Sequence, residues 1–171
     1  AVVNGAGVYT GLITTIVPGN STTNEIVPRV SLPFTIKKVK LDELSGIGYV
    51  TFQDKTRGVV VVSGELATGP ASDYDYISTA IIVGSLMNRI RTRLEPYIGK
   101  GLTEVQVAAM QTAVEAEFQD AVEAGSVVKY YAQVTVQPVV NGAGRVSVPF
   151  TIVPPFELRE IDASVKLAYD I

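Results

Sequence analysis

The spacing of the apolar residues changes along the chain, and this change is the feature that most constrains the fold. Two stretches have apolar residues three or four positions apart, which is the spacing of one face of an α-helix. The first stripe consists of Tyr76, Ala80, Val83, Met87, Ile90 and Leu94, and the second consists of Val107, Met110, Val114 and Ala121 with Phe118 beside it. Ser72 or Asp73 is predicted to cap the first helix, and Thr103 with Gln106 forms a capping box for the second.

On both sides of these helices, apolar and polar residues alternate, which is the period of a β-strand with one buried face. Residues 49–53 and 59–62 predict two strands joined by the loop 54–58, and the valine run of the second predicts burial on both faces. Residues 128–136 and 161–171 alternate as well. The last segment is longer than the usual strand of about five or six residues. An unpaired strand of this length exposes a row of backbone groups, so we expect a partner within the domain or in a neighbouring copy.

The N-terminal segment has a different composition, with Pro28 and Pro33 among many β-branched residues. Such a mixture is typical of extended arms or edge strands, because proline cannot donate to a ladder. The hexapeptide Val-Val-Asn-Gly-Ala-Gly at residues 2–7 recurs at residues 139–144. Since Asn-Gly favours tight turns, each copy predicts a hairpin-like piece.

These patterns together predict an α+β fold, with a mixed β-sheet packed against two antiparallel helices and with extended N- and C-terminal arms. The predicted boundary separates residues 1–46, an extended arm or edge-strand segment, from an α+β domain at residues 47–171. Within this scheme, residues 161–167 are expected to complete the sheet of their own domain, and residues 1–36 are expected to cross to a neighbour.

The composition excludes several classes of function. The chain has 171 residues, of which 47% are apolar, and this is enough for one folded domain. It has no cysteine and no histidine, which excludes thiolate and imidazole catalysis, His/Cys zinc sites and disulfides. A net charge of −3 without a block of like charges argues against nucleic-acid binding. No signal peptide or membrane insertion is expected, and no cofactor is expected either.

Two groups of residues could carry chemistry. Gly5-Ala6-Gly7 resembles a nucleotide-binding glycine loop, but that motif needs a helix after the glycines. The residues that follow are poor helix formers, and Pro18 comes soon after them. Asp73 and Asp75 could serve metal binding or acid–base work, but the favoured interpretation is structural, because carboxylates at a helix start cap amides and suit the macrodipole.

The densest basic stretch consists of Arg89, Arg91, Arg93 and Lys100. Arg89 and Arg93 fall opposite the predicted apolar stripe, so we expect them on the solvent side, where they can contact an acidic partner. A solvated helix face is the favoured interpretation of this stretch, and a contact with another protein is the alternative. The second helix of a neighbouring copy is a suitable partner, since it carries Glu104, Glu115, Glu117, Asp120 and Glu123.

From about Glu25 onwards, a series of short motifs resembles the sheath proteins of contractile phage tails and related injection devices. The matching stretches are residues 33–36, 41–44, 48–52, 58–62, 72–74 with Arg89 in the helix that follows, 95–100, 125–128 and 153–161. Their order is a strand pair, two helices and further strands, as in the conserved C-terminal domain of sheath proteins. Sheath subunits are usually longer, with outer domains inserted before this region.

The resemblance implies a structural subunit, not an enzyme, that polymerises helically around an inner tail tube and contracts to drive the tube through the host envelope. It implies a homo-oligomeric lattice whose further partners are the inner tail tube, baseplate and tail terminator proteins. The implied location is the virion, with assembly in the bacterial host cytoplasm and with arms of neighbouring subunits woven into the sheet. The expected interface residues are Arg89, Arg91, Arg93, Lys100, Ile161, Val165, Leu167 and Tyr169.

Two other functions stay open at this point. The first is another virion or injection-apparatus protein, such as a baseplate or tube component. The second is a small hydrolase or binding domain that uses Asp54, Asp73, Asp75 and nearby tyrosines, and a deep pocket around those carboxylates would favour it.

Overall fold

The computed structural model describes residues 3–68, 72–138 and 144–156. In chain order the elements are α1 (Gly5–Ile13), α2 (Lys38–Ser45), β1 (Phe52–Lys55), β2 (Gly58–Val61), α3 (Ile77–Leu94), a 3-10 turn (Glu95–Tyr97), α4 (Glu104–Glu123), β3 (Lys129–Ala132), β4 (Thr135–Pro138), β5 (Gly144–Ser147) and β6 (Phe150–Val153). The predicted α+β class is confirmed. The predicted mixed sheet is wrong for this part of the chain, whose strands form three small antiparallel pairs.

The main core lies between the α3–α4 hairpin and the strands β3 to β6. The second predicted stripe is confirmed, because Met110, Val114, Phe118 and Ala121 are all buried in α4. The Phe118 ring stacks on Tyr130 of β3 with centroids 4.9 Å apart, and it meets Phe150 of β6 at 5.3 Å. The capping hydroxyl is also confirmed, since Thr103 Oγ1 accepts a hydrogen bond from the backbone N–H of Gln106 at 3.3 Å.

The first predicted stripe is wrong in most positions. The buried residues of α3 are Ser78, Ile82, Leu86 and Ile90, whereas Met87 is exposed. Residues 81–83 are all apolar, so the spacing alone fits either of two overlapping stripes, and contact with α4 selects one of them. The predicted caps are wrong as well, because α3 begins only at Ile77; the Ser72 hydroxyl accepts instead from the Tyr74 N–H at 3.1 Å in a local turn.

The predicted strand pair before α3 is present, but its loop is shorter than expected. Asp54 and Lys55 belong to β1, so only Thr56 and Arg57 connect the strands. Gly58 follows with a φ of 119°, which glycine adopts without strain. The predicted burial of the valine run on both faces is confirmed, because the consecutive residues Val59, Val60 and Val61 are all buried. At its two edges, β2 pairs with β1 on one side and with residues 24–27 on the other. The bonds on that second side include Val27 N–H to Val59 C=O at 2.8 Å.

The N-terminal segment is not extended throughout, since it contains α1 and α2. Asn4 Oδ1 accepts from the Ala6 N–H at 2.9 Å and thereby caps α1, while Tyr9 packs edge-to-face on Phe52 at 6.5 Å. These contacts outweigh the weak helix propensity of the segment. The hairpin predicted for the first copy of the repeat is therefore wrong. The second copy lies largely outside the described residues, although its last residue, Gly144, opens β5.

The sequence predicts no helix after Gly7, and this prediction is wrong, because α1 spans Gly5–Ile13. The lack of a helix therefore does not argue against a glycine loop. One of the free amides at the start of α1, that of Ala6, is nevertheless occupied by the side chain of Asn4. No strand precedes α1 in the described part of the chain, so the strand–loop–helix context of that motif is not seen there. Residues 161–171 lie outside the described residues, and the division at residue 46 stays a prediction.

Candidate assembly surface

Strands β3 to β6 form one long hairpin. β3 pairs with β6 and β4 pairs with β5, in a single shared register whose outermost pairs are Lys129↔Val153 and Pro138↔Gly144. Residues 129–138 therefore run along residues 144–153. The ladder is interrupted next to Pro149, which has no N–H to donate, although its carbonyl still accepts from the Gln133 N–H at 3.3 Å.

One edge of this hairpin offers an uninterrupted row of backbone groups. In an antiparallel ladder, successive residues point their N–H and C=O groups alternately towards the partner strand and away from it. The bond between Gln133 and Pro149 shows that odd-numbered residues point inward. The even-numbered residues on the other strand point outward, and these are Gly144, Val146, Val148, Phe150 and Ile152; we call this row the β6 edge. None of its members is proline, and none of the described strands pairs with it.

A groove of about 660 Å³ lies beside the β6 edge, and we call it the α3 groove. Its apolar lining comes from α3, α4 and the hairpin, and includes Ile90, Leu94, Met110, Val146, Val148 and Phe150. Ile98, in the turn after α3, also lines the groove and is 80% exposed. An exposed edge next to an apolar groove can take an extended segment, because the edge supplies main-chain bonds and the groove accepts alternate side chains.

The four basic residues predicted at an interface divide into two pairs. Arg91 and Lys100 both line the α3 groove, together with Glu95. The Lys100 ammonium lies 5.6 Å from the centroid of the Tyr97 ring. Neither Arg91 nor Lys100 forms a salt bridge with any residue that the structure describes, so both charges are available beside the groove.

Arg89 and Arg93 are engaged within the chain. Arg89 Nε donates to Glu117 Oε2 at 2.8 Å, and Arg93 Nε lies 3.1 Å from Glu117 Oε1. Arg89 also reaches Asp120 Oδ2 at 3.5 Å. The Glu117 side chain is only 10% exposed, against 40% for Arg89 and 56% for Arg93. The expected solvent-side position of both arginines is confirmed by this exposure, although α4 of the same chain already supplies an acidic partner. Their role at an interface stays a prediction.

The carboxylates considered for catalysis do not converge on a groove. Asp54 is exposed on β1, and Asp73 is exposed in the turn before α3. Asp75 is half-buried, and its backbone carbonyl accepts from the Leu66 N–H at 2.8 Å. None of these carboxylates lines the α3 groove. The described residues contain no cluster of three His, Cys, Asp or Glu side chains suited to a metal ion.

The expected interface residues Ile161, Val165, Leu167 and Tyr169 lie outside the described residues. Sequence reasoning missed the β6 edge and the α3 groove. The proline at position 149 was a misleading signal, because the missing N–H of a strand proline usually faces solvent, whereas position 149 faces Gln133 of the partner strand. The exposure of Ile98 had no sequence signal, since it depends on how the turn sits against the hairpin. Among the described residues, no helix combines the length and the hydropathy needed to cross a bilayer.

No protein-family model matches the chain, and no curated protein matches it. Solved structures do match. The 6-fold symmetrised cryo-EM structure of the anti-feeding prophage baseplate matches with a TM-score of 0.74 and 18% identity over 95% of this chain and 49% of that chain. The contracted helical sheath of the anti-feeding prophage matches with a TM-score of 0.71 and 18% identity over 96% of this chain and 49% of that one.

The chain thus spans about half the length of the structures it matches. At 18% identity the likeness concerns the fold. At that level, the resemblance to contractile sheath proteins that the sequence motifs indicate is confirmed.

Proposed function

We propose that this chain is a non-catalytic structural subunit of a phage-tail-like contractile injection apparatus, and that it belongs to the sheath. The shared fold with a contracted helical sheath and with a baseplate supports the first part of the proposal. The motif order from Glu25 onwards supports the sheath over the baseplate or tube. The observation that carries the assembly function is the β6 edge, a strand edge that no described strand covers and that lies beside an apolar groove.

Assembly proceeds by strand addition at the β6 edge. An extended segment from a neighbouring copy pairs with the outward N–H and C=O groups and places alternate apolar side chains in the α3 groove. Residues 161–171 have the required alternation of apolar and polar positions, and in this proposal they cross to a neighbouring copy, in place of completing the sheet of their own domain. Their acidic members, such as Asp162 and Asp170, suit the free charges of Arg91 and Lys100. The resulting lattice surrounds an inner tube and meets the baseplate and terminator at its ends.

Contraction in this proposal is a repacking of subunits that stay joined through the added strands. Backbone pairing is insensitive to the orientation of the rest of a subunit, whereas side-chain interfaces have discrete alternative arrangements. The strand connections therefore persist while the subunits rotate. The location follows from the same proposal, namely the tail of a virion or a related particle, assembled in the cytoplasm of the bacterial host.

Two proline variants test the edge. In Ile152→Pro, the lost N–H points outward, so the hairpin keeps its ladder while the β6 edge loses a donor. In Thr151→Pro, the lost N–H points inward to β3 and leaves a ladder carbonyl without its donor, so we expect a loss of about 1–3 kcal/mol in the free energy of unfolding. Electron microscopy of the parent should show tubes, and Ile152→Pro should remain folded by circular dichroism without forming tubes.

Three results would count against this function. Normal tubes from Ile152→Pro would show that the subunits join elsewhere. Closed rings from the parent, without helical growth, would favour a baseplate component. A parent that stays monomeric at high concentration would argue against a self-assembling sheath subunit altogether.

A further inference from the structure

The opposite edge of the long hairpin, formed by residues 129–138, is obstructed by one side chain. Gln111 projects from α4 onto this edge, where its Nε2 donates to the Ala132 C=O at 3.2 Å. Its Oε1 accepts from the Val134 N–H at 2.7 Å. Both backbone groups belong to even-numbered residues, which point away from the β5–β6 strand, so Gln111 occupies the outward-facing groups of this strand at its midpoint.

The Gln111 amide takes the place of one residue of an added parallel strand. Such a residue donates to the carbonyl of one neighbour and accepts from the N–H two positions further along, which is the pattern seen at Ala132 and Val134. The second hydrogen of Nε2 is used by Glu115 Oε1 at 2.6 Å. Because Val134 offers an N–H, the amide oxygen must face it, and the three bonds together fix the side chain in one orientation.

Without Gln111, this edge would closely match the β6 edge. A second open groove of about 700 Å³ runs beside it, lined by apolar residues that include Val107, Ala108, Val134 and Val136. The hairpin would then have two edges open to strand addition. Strand addition at both edges leads to aggregation. Gln111 divides this edge into a short stretch before Ala132 and a short stretch after Val134. The second stretch ends at Pro138, which has no N–H.

We infer that Gln111 closes the β3–β4 edge against strand addition and so confines the pairing of subunits to the β6 edge. The residue determines which partner geometry is accepted, because a neighbour can approach from one side only. The inference builds on the proposed function, since it assumes that an extended segment of another copy is the occupant of the open edge. In this inference, the side chain of Gln111 on α4 prevents a second interface from forming at the β3–β4 edge.

The test compares Gln111→Ala with Gln119→Ala, a matched variant at an exposed position of the same helix. Alanine is the strongest helix former, so both variants should retain α4. In Gln111→Ala, amide hydrogen exchange at Val134 should be roughly tenfold faster, because its hydrogen bond is lost. The weight-average mass in sedimentation should be roughly doubled or more relative to Gln119→Ala. Both substitutions are also placed in the Ile152→Pro background, in which the β6 edge is blocked.

Each outcome addresses one of the two claims. Association of Ile152→Pro with Gln111→Ala, but not of Ile152→Pro with Gln119→Ala, supports the closed-edge role. Equal masses for the Gln111 and Gln119 variants in both backgrounds would overturn it. Tubes from Ile152→Pro alone would contradict the proposed use of the β6 edge while leaving the Gln111 comparison readable. Gln111→Glu keeps an acceptor for the Val134 N–H and adds a charge at the edge, so it should not gain association. If it associates as Gln111→Ala does, the role is wrong.

Discussion

The N-terminal region, residues 3–68, and the C-terminal region, residues 72–138 and 144–156, bury their apolar residues to very different extents. The C-terminal region has a continuous core from α3 through α4 to the long hairpin. The N-terminal region has a small cluster around Val27, Val59 and Val61. Large apolar residues stay exposed in both regions, for example Phe34 and Ile47 in the N-terminal region and Ile98 and Tyr131 in the C-terminal region, so the difference lies in the size of the core.

Buried hydroxyls show the same difference. In the described part of the chain, four buried hydroxyl groups have no hydrogen-bond partner, and all four belong to the N-terminal region: Thr23, Ser45, Thr51 and Ser63. A buried polar group without a partner costs stability. The comparison indicates that the C-terminal region holds itself together, whereas the N-terminal region is completed by contacts outside it. Exposed apolar patches of this kind are typical of interaction surfaces.

The largest expected difference is between core truncations in the two regions. Phe118 is fully buried between Tyr130 and Phe150, so Phe118→Ala should lower the free energy of unfolding by about 3–5 kcal/mol. Val60 of the N-terminal region is also fully buried, but Val60→Ala removes a smaller side chain and should cost about 2 kcal/mol. Urea denaturation measures both values. Equal losses from the two variants would contradict the view that the main stabilising core is C-terminal.

An intermediate effect is expected from the charges of the α3–α4 hairpin. The double variant Arg89→Glu with Arg93→Glu removes both partners of the nearly buried Glu117 and places new carboxylates beside it. We expect a loss of about 2–3 kcal/mol, measured as a lower urea midpoint. The control is Lys40→Ala in the N-terminal region, whose Lys40–Glu43 pair is exposed and should contribute less than about 0.5 kcal/mol. A double variant as stable as the parent would show that the ion pairs are dispensable.

The two regions also differ in how far the sequence predicts them. The stripe of α4 and its cap at Thr103 were predictable, because a long helix with one apolar face repeats its signal over many residues. The stripe of α3 was not, since three consecutive apolar residues allow two overlapping faces. In the N-terminal region the short helices α1 and α2 have little periodic signal, and contacts such as Tyr9 on Phe52 decide their conformation.

The candidate site was predictable only in part. The basic residues were found as a group, yet the sequence could not separate Arg91 and Lys100 beside the groove from Arg89 and Arg93 on Glu117. That separation depends on which face α3 turns towards α4. The roles of Pro149 and Gln111 depend on the parity of the hairpin register, and a shift of one residue would reverse both.

The smallest expected effect comes from the helix caps, and it tests whether the two regions unfold together. Asn4→Ala removes the bond from Asn4 Oδ1 to the Ala6 N–H and should destabilise α1 by about 0.5–1 kcal/mol. Thr103→Ala removes the corresponding bond of α4 and should cost a similar amount. Because α4 is part of the main core, Thr103→Ala should lower the urea midpoint of the whole transition. It should not cause a separate local acceleration of amide exchange in α4.

Asn4→Ala should instead accelerate amide hydrogen exchange within α1, since this helix contacts the body through few residues, such as Tyr9. Exchange in α4 and the main urea transition should then remain as in the parent. If Asn4→Ala lowers the main transition as much as Thr103→Ala does, the chain unfolds as one cooperative unit. The N-terminal region would in that case be stabilised by the C-terminal core. Weak packing of the N-terminal region would then not explain why its apolar residues are exposed.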